Sequence, residues 1–418
     1  MFRKVVLDNG IRIVTERMPH VKSVSIGLWV NVGSRDEEED EHGMSHFLEH
    51  MFFKGTRKRS AKEIALEIDA IGGELNAFTS HETTTFYAKV LDEHIVQAID
   101  LLSDNFHNSQ FNAGEIEKEQ QVVIQEIKMV EDDPEDLVHD LYTKEAWRGN
   151  PLGRPILGTV KTVSGITRKK ILNFLKRTYD PKEMVISVAG HFEDGILIDS
   201  LNQAFGKYEA HEIDRHARIP PQFTPHLQIK RRKLEQVHLC LGTQGLPQGH
   251  ADRFALSIIN AVLGGSVSSH LFQEIREQRG LAYSIYSHLS SYEDGGLFMI
   301  YAGTSAENTS KVISLIIREL KRAKDKGMDR FELEKAKNHI KGSLLLSVES
   351  TGSRMSKLAK EEIYLGRHLP LKEIVREIDQ VTVEQVKGLS QTLLNAQGFS
   401  LTALGKVGPS DIPKTLVV

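Results

Sequence analysis

The strongest chemical signal in this chain is five consecutive residues, His46-Phe47-Leu48-Glu49-His50. On a helix, positions i and i+4 lie on one face about 6 Å apart, so two imidazoles can converge on one ion. Zinc accepts imidazole nitrogens at ~2.0–2.1 Å in tetrahedral geometry. Glu49, one residue before the second histidine, can reach a water held there and accept its proton; the order is the inverse of an H-E-x-x-H helix. A catalytic zinc takes three protein ligands and leaves one position open, so a third ligand must come from elsewhere. Glu119 and Glu126 are the candidates, within the strongly helical EIEKEQQVVIQEIKMV. Seven residues is two turns, so they share a face but sit roughly 10 Å apart along the axis. One should bind the ion and the other act behind it, orienting a histidine or tuning the water. The spacing leaves open which does which. The chain holds 18 histidines, so an H-x-x-E-H can also arise by chance. Phe47, Leu48, Met51 and Phe52 suit a plain core helix as well as a dry metal site.

The elements that must position these residues read as an α+β pattern. Two homologous domains are expected, each a mostly antiparallel sheet packed with helices. Asp8-Asn9-Gly10 between KVVL and IRIV reads as a hairpin turn, because Asn-Gly supplies positive φ. Ser23 to Val32 alternates, with Val24, Ile26, Leu28 and Val30 on one face. A charged loop follows over Arg35 to Glu41, then a helix over Gly43 to Phe53. Ser60 and Glu63 form a capping box ahead of Ile64, Ile68 and Ile71 at helical spacing. Strands are expected over Thr83 to Val90 and Met184 to Ala189, and helices over His94 to Phe106 and Glu115 to Val130.

The two halves of the chain look alike. Glu115-Ile116-Glu117-Lys118 recurs as Glu332-Leu333-Glu334-Lys335, Val163-Ser164 as Val381-Thr382, and a strand ending in Gly190 as one ending in Gly405. Three widely spaced matches at nearly one offset point to internal duplication. The duplication is uneven in chemistry: Glu119 maps to Ala336, Glu126 maps to Ser343, and the second half has no His-x-x-Glu-His. The stretch HEIDRHARIPPQFTPH, 211–226, is polar, holds three prolines and has no period, as a linker should. The domains are therefore placed at 1–210, bearing the metal site, and 227–418, without it.

Composition narrows the function. With 418 residues, 40% hydrophobic and 26% charged, the chain has the profile of a folded protein of two domains. Fifty-three basic and 57 acidic residues leave no basic footprint for a nucleic acid. One cysteine, Cys240, permits no intrachain disulfide and fits a reducing compartment. The N-terminus has neither a signal-peptide nor a transit-peptide pattern. The longest apolar stretch, near Val24 to Val32, is far short of the roughly twenty residues that span a bilayer. A soluble, cytoplasmic, bacterial protein without a membrane or nucleic-acid partner is expected. Gly264-Gly265 has neither a following G-K-[ST] nor a Gly-x-Gly-x-x-Gly, so it reads as a helix terminator and no nucleotide is expected.

The strings GMSHFLEHMFFKGT, GGELNAFTSHETT, EKEQQVVIQEI and LFQEIREQRGLAYSIYS resemble the pitrilysin and mitochondrial processing peptidase metallopeptidases, most closely their bacterial processing-protease-like members. The resemblance covers nearly the whole chain. It implies a zinc metalloendopeptidase with one zinc per chain, held by His46, His50 and Glu126. Glu49 would be general base and then general acid to the leaving amine, and Glu119 would support them. Arg276 and Tyr283 match the family's Arg/Tyr pair and would reach substrate or the developing oxyanion. Asn76-Ala77 matches the edge strand on which the family lays an extended peptide. Asp136 and Asp140 match acids that hold a basic residue near the cleavage site, although EDDPEDLVHD also reads as a solvated acidic face. Peptides and unfolded or presequence-like segments are the implied substrates. A homodimer is the simplest assembly, and a heterodimer with an inactive partner is the other. The alternative function is a non-catalytic structural or assembly subunit of the same fold; a zinc hydrolase acting on other substrates is a third.

Overall fold

In the computed structural model, which describes residues 2–209, 217–394 and 398–413, Asn9-Gly10 turns the chain as its types require. Gly10 has φ 97°, and β1 (Phe2–Val6) pairs antiparallel with β2 (Arg12–Arg17). Strands β3 (Ser23–Val30), β4 (Glu74–Thr79), β5 (Thr84–Leu91) and β6 (Met184–Gly190) complete a first sheet in the order β1-β2-β6-β3-β5-β4. The helices of this half are α1 (Met44–Met51), α2 (Ala61–Ala70), α3 (Ile95–Asn108), α4 (Ala113–Asp132), α5 (Pro134–Ala146), α6 (Val160–Ser164), α7 (Arg168–Thr178) and α8 (Asp194–Phe205). Ser60 and Glu63 cap α2 reciprocally.

The second sheet holds β7 (Leu227–Arg231), β8 (Val237–Gln244), β9 (Ala282–Ser291), β10 (Gly296–Thr304) and β11 (Ser400–Gly405), in the order β7-β11-β8-β10-β9. Its helices are α9 (Arg253–Leu263), α10 (Thr309–Lys326), α11 (Arg330–Ser347), α12 (Thr351–Leu365), α13 (Leu371–Gln380) and α14 (Val383–Leu393). Gly264 ends α9, as a helix terminator. With β1 set aside, the two sheets have the same strand order. In each, one pair is parallel, β2 with β6 and β7 with β11, and the other pairs are antiparallel. The fold is thus α+β and internally duplicated.

The duplication reaches the backbone. Gly190 and Gly405 close the matched strands at φ 138° and 140°. A Cβ on Gly190 would lie 2.3 Å from Ser23 O, and one on Gly405 would lie 2.8 Å from Gln236 O. Only glycine lets those neighbouring chains approach. One sequence match shifts. Thr382 caps α14, and its counterpart is Thr167, which caps α7. Ile166-Thr167, not Val163-Ser164, is therefore the partner of Val381-Thr382, at the offset of 215 that also relates Gly190 to Gly405.

The compact units do not follow the halves of the chain. One contains residues 1–129, 154–218 and 347–368, and the other contains 130–153, 219–346 and 369–418. The first unit therefore includes α12, and the second includes α5. This differs from the expected boundaries at 210 and 227. Residues 211–216 of the expected linker lie outside the described residues. Its remainder runs without helix or strand up to β7, and the division falls between Arg218 and Ile219.

The exchange decides what is buried. In the first unit, Val24, Ile26, Leu28 and Val30 of β3 face the main core with α1, α3, α4, α7 and α8. The opposite face carries Trp29, Val14, Val185 and Ala189, covered by Met355, Leu358 and Ala359 of α12. In the second unit, Val138, Tyr142 and Ala146 of α5 cover Cys240, Met299, Tyr301 and Leu404 in the same way. The charged run over Arg35 to Glu41 is only partly solvated: Glu38, Glu39 and Asp40 are exposed, while Arg35, Glu37 and Glu41 are buried. Among the described residues, no helix is long and apolar enough to cross a membrane.

Candidate metal centre

Helix α1 buries Phe47, Leu48 and Met51 in the first unit's core, which turns His46, Glu49 and His50 the other way. The two imidazole centroids are 4.7 Å apart. On α4, the buried stripe of Ile116, Glu119, Val123 and Ile127 brings the acids to the same place. Glu126 Oε2 lies 3.6 Å from His46 Nε2 and 3.6 Å from His50 Nε2. Among the described residues, these three are the one group of His, Cys, Asp or Glu whose ligand atoms all lie within 4.8 Å of one another.

The group passes a test of fit for a metal ion. Ligands ~2.1 Å from a tetrahedral centre stand ~3.4 Å from one another, close to the separations found. Glu126 Oε2 is buried and has no hydrogen-bond partner, and a buried carboxylate oxygen without one is costly unless a cation meets it. Two imidazoles and one carboxylate are a donor set that zinc accepts.

Glu119 stands behind the group. Its Oε1 lies 2.8 Å from His50 Nδ1, which leaves Nε2 directed at Glu126. Its Oε2 meets Lys54 Nζ at 2.6 Å. Burial pushes the Glu119 carboxyl up, but the bonds to His50 and Lys54 outweigh it and hold the carboxyl below its usual range. Burial pulls His50 down, but Glu119, Glu126 and Glu49 outweigh it, and its net shift is upward. His46 is held down at about 4, chiefly by burial and then by His50, so its imidazole is neutral near pH 7. Glu49 is half-buried beside the group, and its Oε2 accepts a 2.6 Å bond from Thr79 Oγ1. Burial raises its carboxyl, with the Thr79 hydroxyl pulling the other way.

Three residues at the site went unnoticed in the sequence: Thr79, Lys54 and Glu37. Thr79 ends the edge strand. Lys54 lies one helical turn beyond His50, and that spacing was the one signal that could have found it. Glu37, in the charged run, accepts 2.8 Å and 2.7 Å bonds from the N–H groups of Gly43 and Ser45, at the start of α1.

Asn76 and Ala77 lie on β4, at the edge of the first sheet. Ala77 N–H is taken by the Asn76 side chain at 2.8 Å rather than by a neighbouring strand. Asp136 and Asp140 are exposed on α5 in the second unit. Arg276 and Tyr283 are also in the second unit, with the guanidinium 5.6 Å from the tyrosine ring and 4.6 Å from that of Phe272. Arg276 sits on a π-helical turn, Phe272–Glu277. In the β9–β10 ladder, Ala282 faces Thr304 and Ser284 faces Gly303, so Tyr283 is a bulged residue, and it is 77% exposed. A bulge re-aims a side chain.

Two like α+β units, with an inverted His-x-x-Glu-His helix in only one of them, describe the fold class of two-domain peptidases. The family model for insulinase, peptidase family M16, matches residues 12–160, and the model for the peptidase M16 inactive domain matches residues 165–340. The chain belongs to peptidase family M16. It is 46% identical to a protein of Bacillus subtilis named an uncharacterized zinc protease, over 98% of this chain and 99% of the relative. It is 38% identical to a protein of the same description from Streptomyces coelicolor, over 96% and 89%. The fold matches the crystal structure of a protease from Helicobacter pylori with a TM-score of 0.88 at 20% identity, covering 97% of this chain and 99% of that one. It also matches a peptidase M16 inactive domain from Pseudomonas fluorescens with a TM-score of 0.89 at 20% identity, covering 97% and 98%.

Proposed function

We propose that this protein is a zinc-dependent endopeptidase. The observation that carries the reading is the buried Glu126 Oε2, without a hydrogen-bond partner and 3.6 Å from an Nε2 of both His46 and His50, with Glu49 alongside. His46, His50 and Glu126 would hold one zinc. When bound, zinc supplies Lewis acidity and makes water acidic enough to be a nucleophile near neutral pH.

The chain's own residues do the rest. Glu49, oriented by Thr79, takes a proton from the attacking water as its oxygen bonds to the scissile carbonyl carbon. It then passes the proton to the amine nitrogen as the C–N bond breaks. Glu119 keeps the His50 ring turned with Nε2 toward Glu126. The open edge of β4 at Asn76 and Ala77 suits an extended segment bound through its main chain, which favours peptides or unfolded, presequence-like chains. Asn76 must release Ala77 N–H for that pairing. Arg276 and Tyr283 keep their assignment to substrate, supported by the bulge that exposes the tyrosine. Asp136 and Asp140, both exposed, are proposed to favour basic residues in the substrate. A homodimer is the proposed assembly, and a solution mass of only the 47.0 kDa chain would refute it.

The test pairs zinc content with cleavage of an unbiased mixture of peptides, using wild type and Glu49→Gln. The reading expects about one zinc per chain in both and cleavage by wild type alone. Zinc without cleavage by either would favour a non-catalytic subunit. A Glu49→Gln chain that still cuts would remove Glu49 from the mechanism.

A further inference from the structure

Helix α1 must present His46, Glu49 and His50 together, yet nothing in its own sequence caps it. Gly43, at its start, has φ 91° and no side chain. A Cβ there would lie 2.6 Å from Leu157 O, so no Ser, Thr or Asp can take the position. The first N–H groups of the helix must find acceptors elsewhere. They find Glu37: Oε2 accepts from Gly43 N–H at 2.8 Å and Oε1 from Ser45 N–H at 2.7 Å. Glu37 is only 5% exposed, so one buried carboxylate spends both oxygens on the helix that carries the metal motif. Burial pushes the Glu37 carboxyl up to about 8, with the Ser45 and Gly43 N–H bonds pulling it back down; those two bonds and the position at a helix N-terminus favour its ionised form.

The loop that carries Glu37 is tied to a second part of the site. Ser34 and Arg35 N–H groups bond to Ser80 O at 3.2 Å and His81 O at 2.9 Å. Arg35 Nη1 meets Glu82 Oε1 at 2.5 Å, both side chains buried. Arg218 Nη2 meets Asp36 Oδ2 at 2.8 Å, and Ser34 Oγ lies 2.9 Å from His81 Nδ1. Gly33 touches the same turn, since a Cβ on it would lie 2.4 Å from Ser80 O. Residues 80–83 join β4 to β5 and directly follow Thr79, the residue that holds Glu49.

We infer that Glu37 is a positioning residue for the proposed peptidase site: its carboxylate caps α1 and, through the Gly33–Asp36 segment, fixes the register of His46 and Glu49 against Thr79 and the β4 edge. Glu37 touches neither metal ligand nor substrate and acts through the helix. This inference rests on the zinc-peptidase reading.

The test uses the full chain as Glu37→Ala, Glu37→Gln and Glu37→Asp, each shown folded by circular dichroism at the assay temperature. Zinc affinity is measured by chelator competition, and kcat and KM on a peptide that wild type cuts. Glu37→Ala should bind zinc about 10–100-fold more weakly, as when a residue that orients ligands is lost. Its kcat should fall by about tenfold or more with KM little changed, because misplacement hurts the reacting geometry rather than main-chain binding. Glu37→Gln, which keeps one acceptor, should fall between, and Glu37→Asp should recover part of kcat. A folded Glu37→Ala with wild-type zinc affinity and kcat overturns the inference. If Ala fails to fold, a Gln variant equal to wild type does the same. A loss confined to thermal stability also overturns it. The zinc measurement needs no turnover, so a wild type that binds zinc but cuts nothing defeats the peptidase reading and still decides the role of Glu37. A wild type that holds no zinc defeats both.

Discussion

Replacing Thr79 with valine removes one hydroxyl at nearly constant volume and probes the proposed base directly. Thr79 Oγ1 donates a 2.6 Å bond to Glu49 Oε2, and that bond favours the ionised carboxylate. Burial works the other way and leaves the Glu49 carboxyl above its ordinary range. A hydrogen bond to a charged group contributes about 1.5–3 kcal/mol. Glu49 is only half-buried, so the low end applies, and 1.36 kcal/mol corresponds to one pH unit of titration. The sign follows from the role: the base works when ionised, so activity is lost as pH falls through its raised pKa. Thr79→Val raises that pKa further. The acid limb of kcat/KM should therefore move up by about one pH unit, with about tenfold lower activity below the limb and little change on the plateau above it. Thr79→Ser keeps the hydroxyl and should keep the wild-type limb. The assay is kcat/KM on one peptide from pH 5 to 9. An unmoved limb in Thr79→Val would refute the role of the hydroxyl in tuning Glu49, and a loss equal at all pH values would point to a damaged β4 edge instead.

Other outcomes follow from the same contacts. Glu126→Gln leaves two imidazoles and a neutral amide, and should lose most bound zinc on dialysis while keeping the wild-type melt of the metal-free chain. Glu119→Gln should weaken zinc about 10–100-fold at pH 7.5, measured by chelator competition. Because Glu119 helps push the His50 pKa up, the zinc affinity of the same variant, though weaker throughout, should begin to fall from its own plateau at a lower pH, as His50 protonates later. Met355→Ala should cost about 2–5 kcal/mol in chemical denaturation, since Met355 is 2% exposed against Trp29; a loss under ~1 kcal/mol would deny α12 its place in the first unit. Gly190→Ala adds a Cβ 2.3 Å from Ser23 O at φ 138° and should cost about 2 kcal/mol or more, read as a lower denaturation midpoint.

Much of this architecture is local and so could be read along the chain. The Asn9-Gly10 turn, the Ser60/Glu63 box and the helical period of α4 depend on neighbours within a few residues. The duplication was visible because both halves keep the residues that backbone geometry demands, Gly190 and Gly405 above all. One match slid by three residues, since Val-Ser and Ile-Thr look alike until a capping hydrogen bond picks Thr167.

Sequence spacing by itself put His46 and His50 on one helical face with Glu49 between, and offered Glu119 and Glu126 as candidates for a third ligand. Resemblance alone chose between those two in the sequence; the proposed assignment is supported by the packing of α4, which brings Glu126 to the histidines' Nε2 atoms and Glu119 to His50 Nδ1. Tertiary structure alone decided the rest. Thr79, 30 residues from Glu49, and Glu37, which caps α1 from outside it, follow no period that could announce them. The exchange of α5 and α12 is non-local in the same way. It buries Trp29 under a helix more than 300 residues away, because a sheet with helices on one side still leaves an apolar face to be covered.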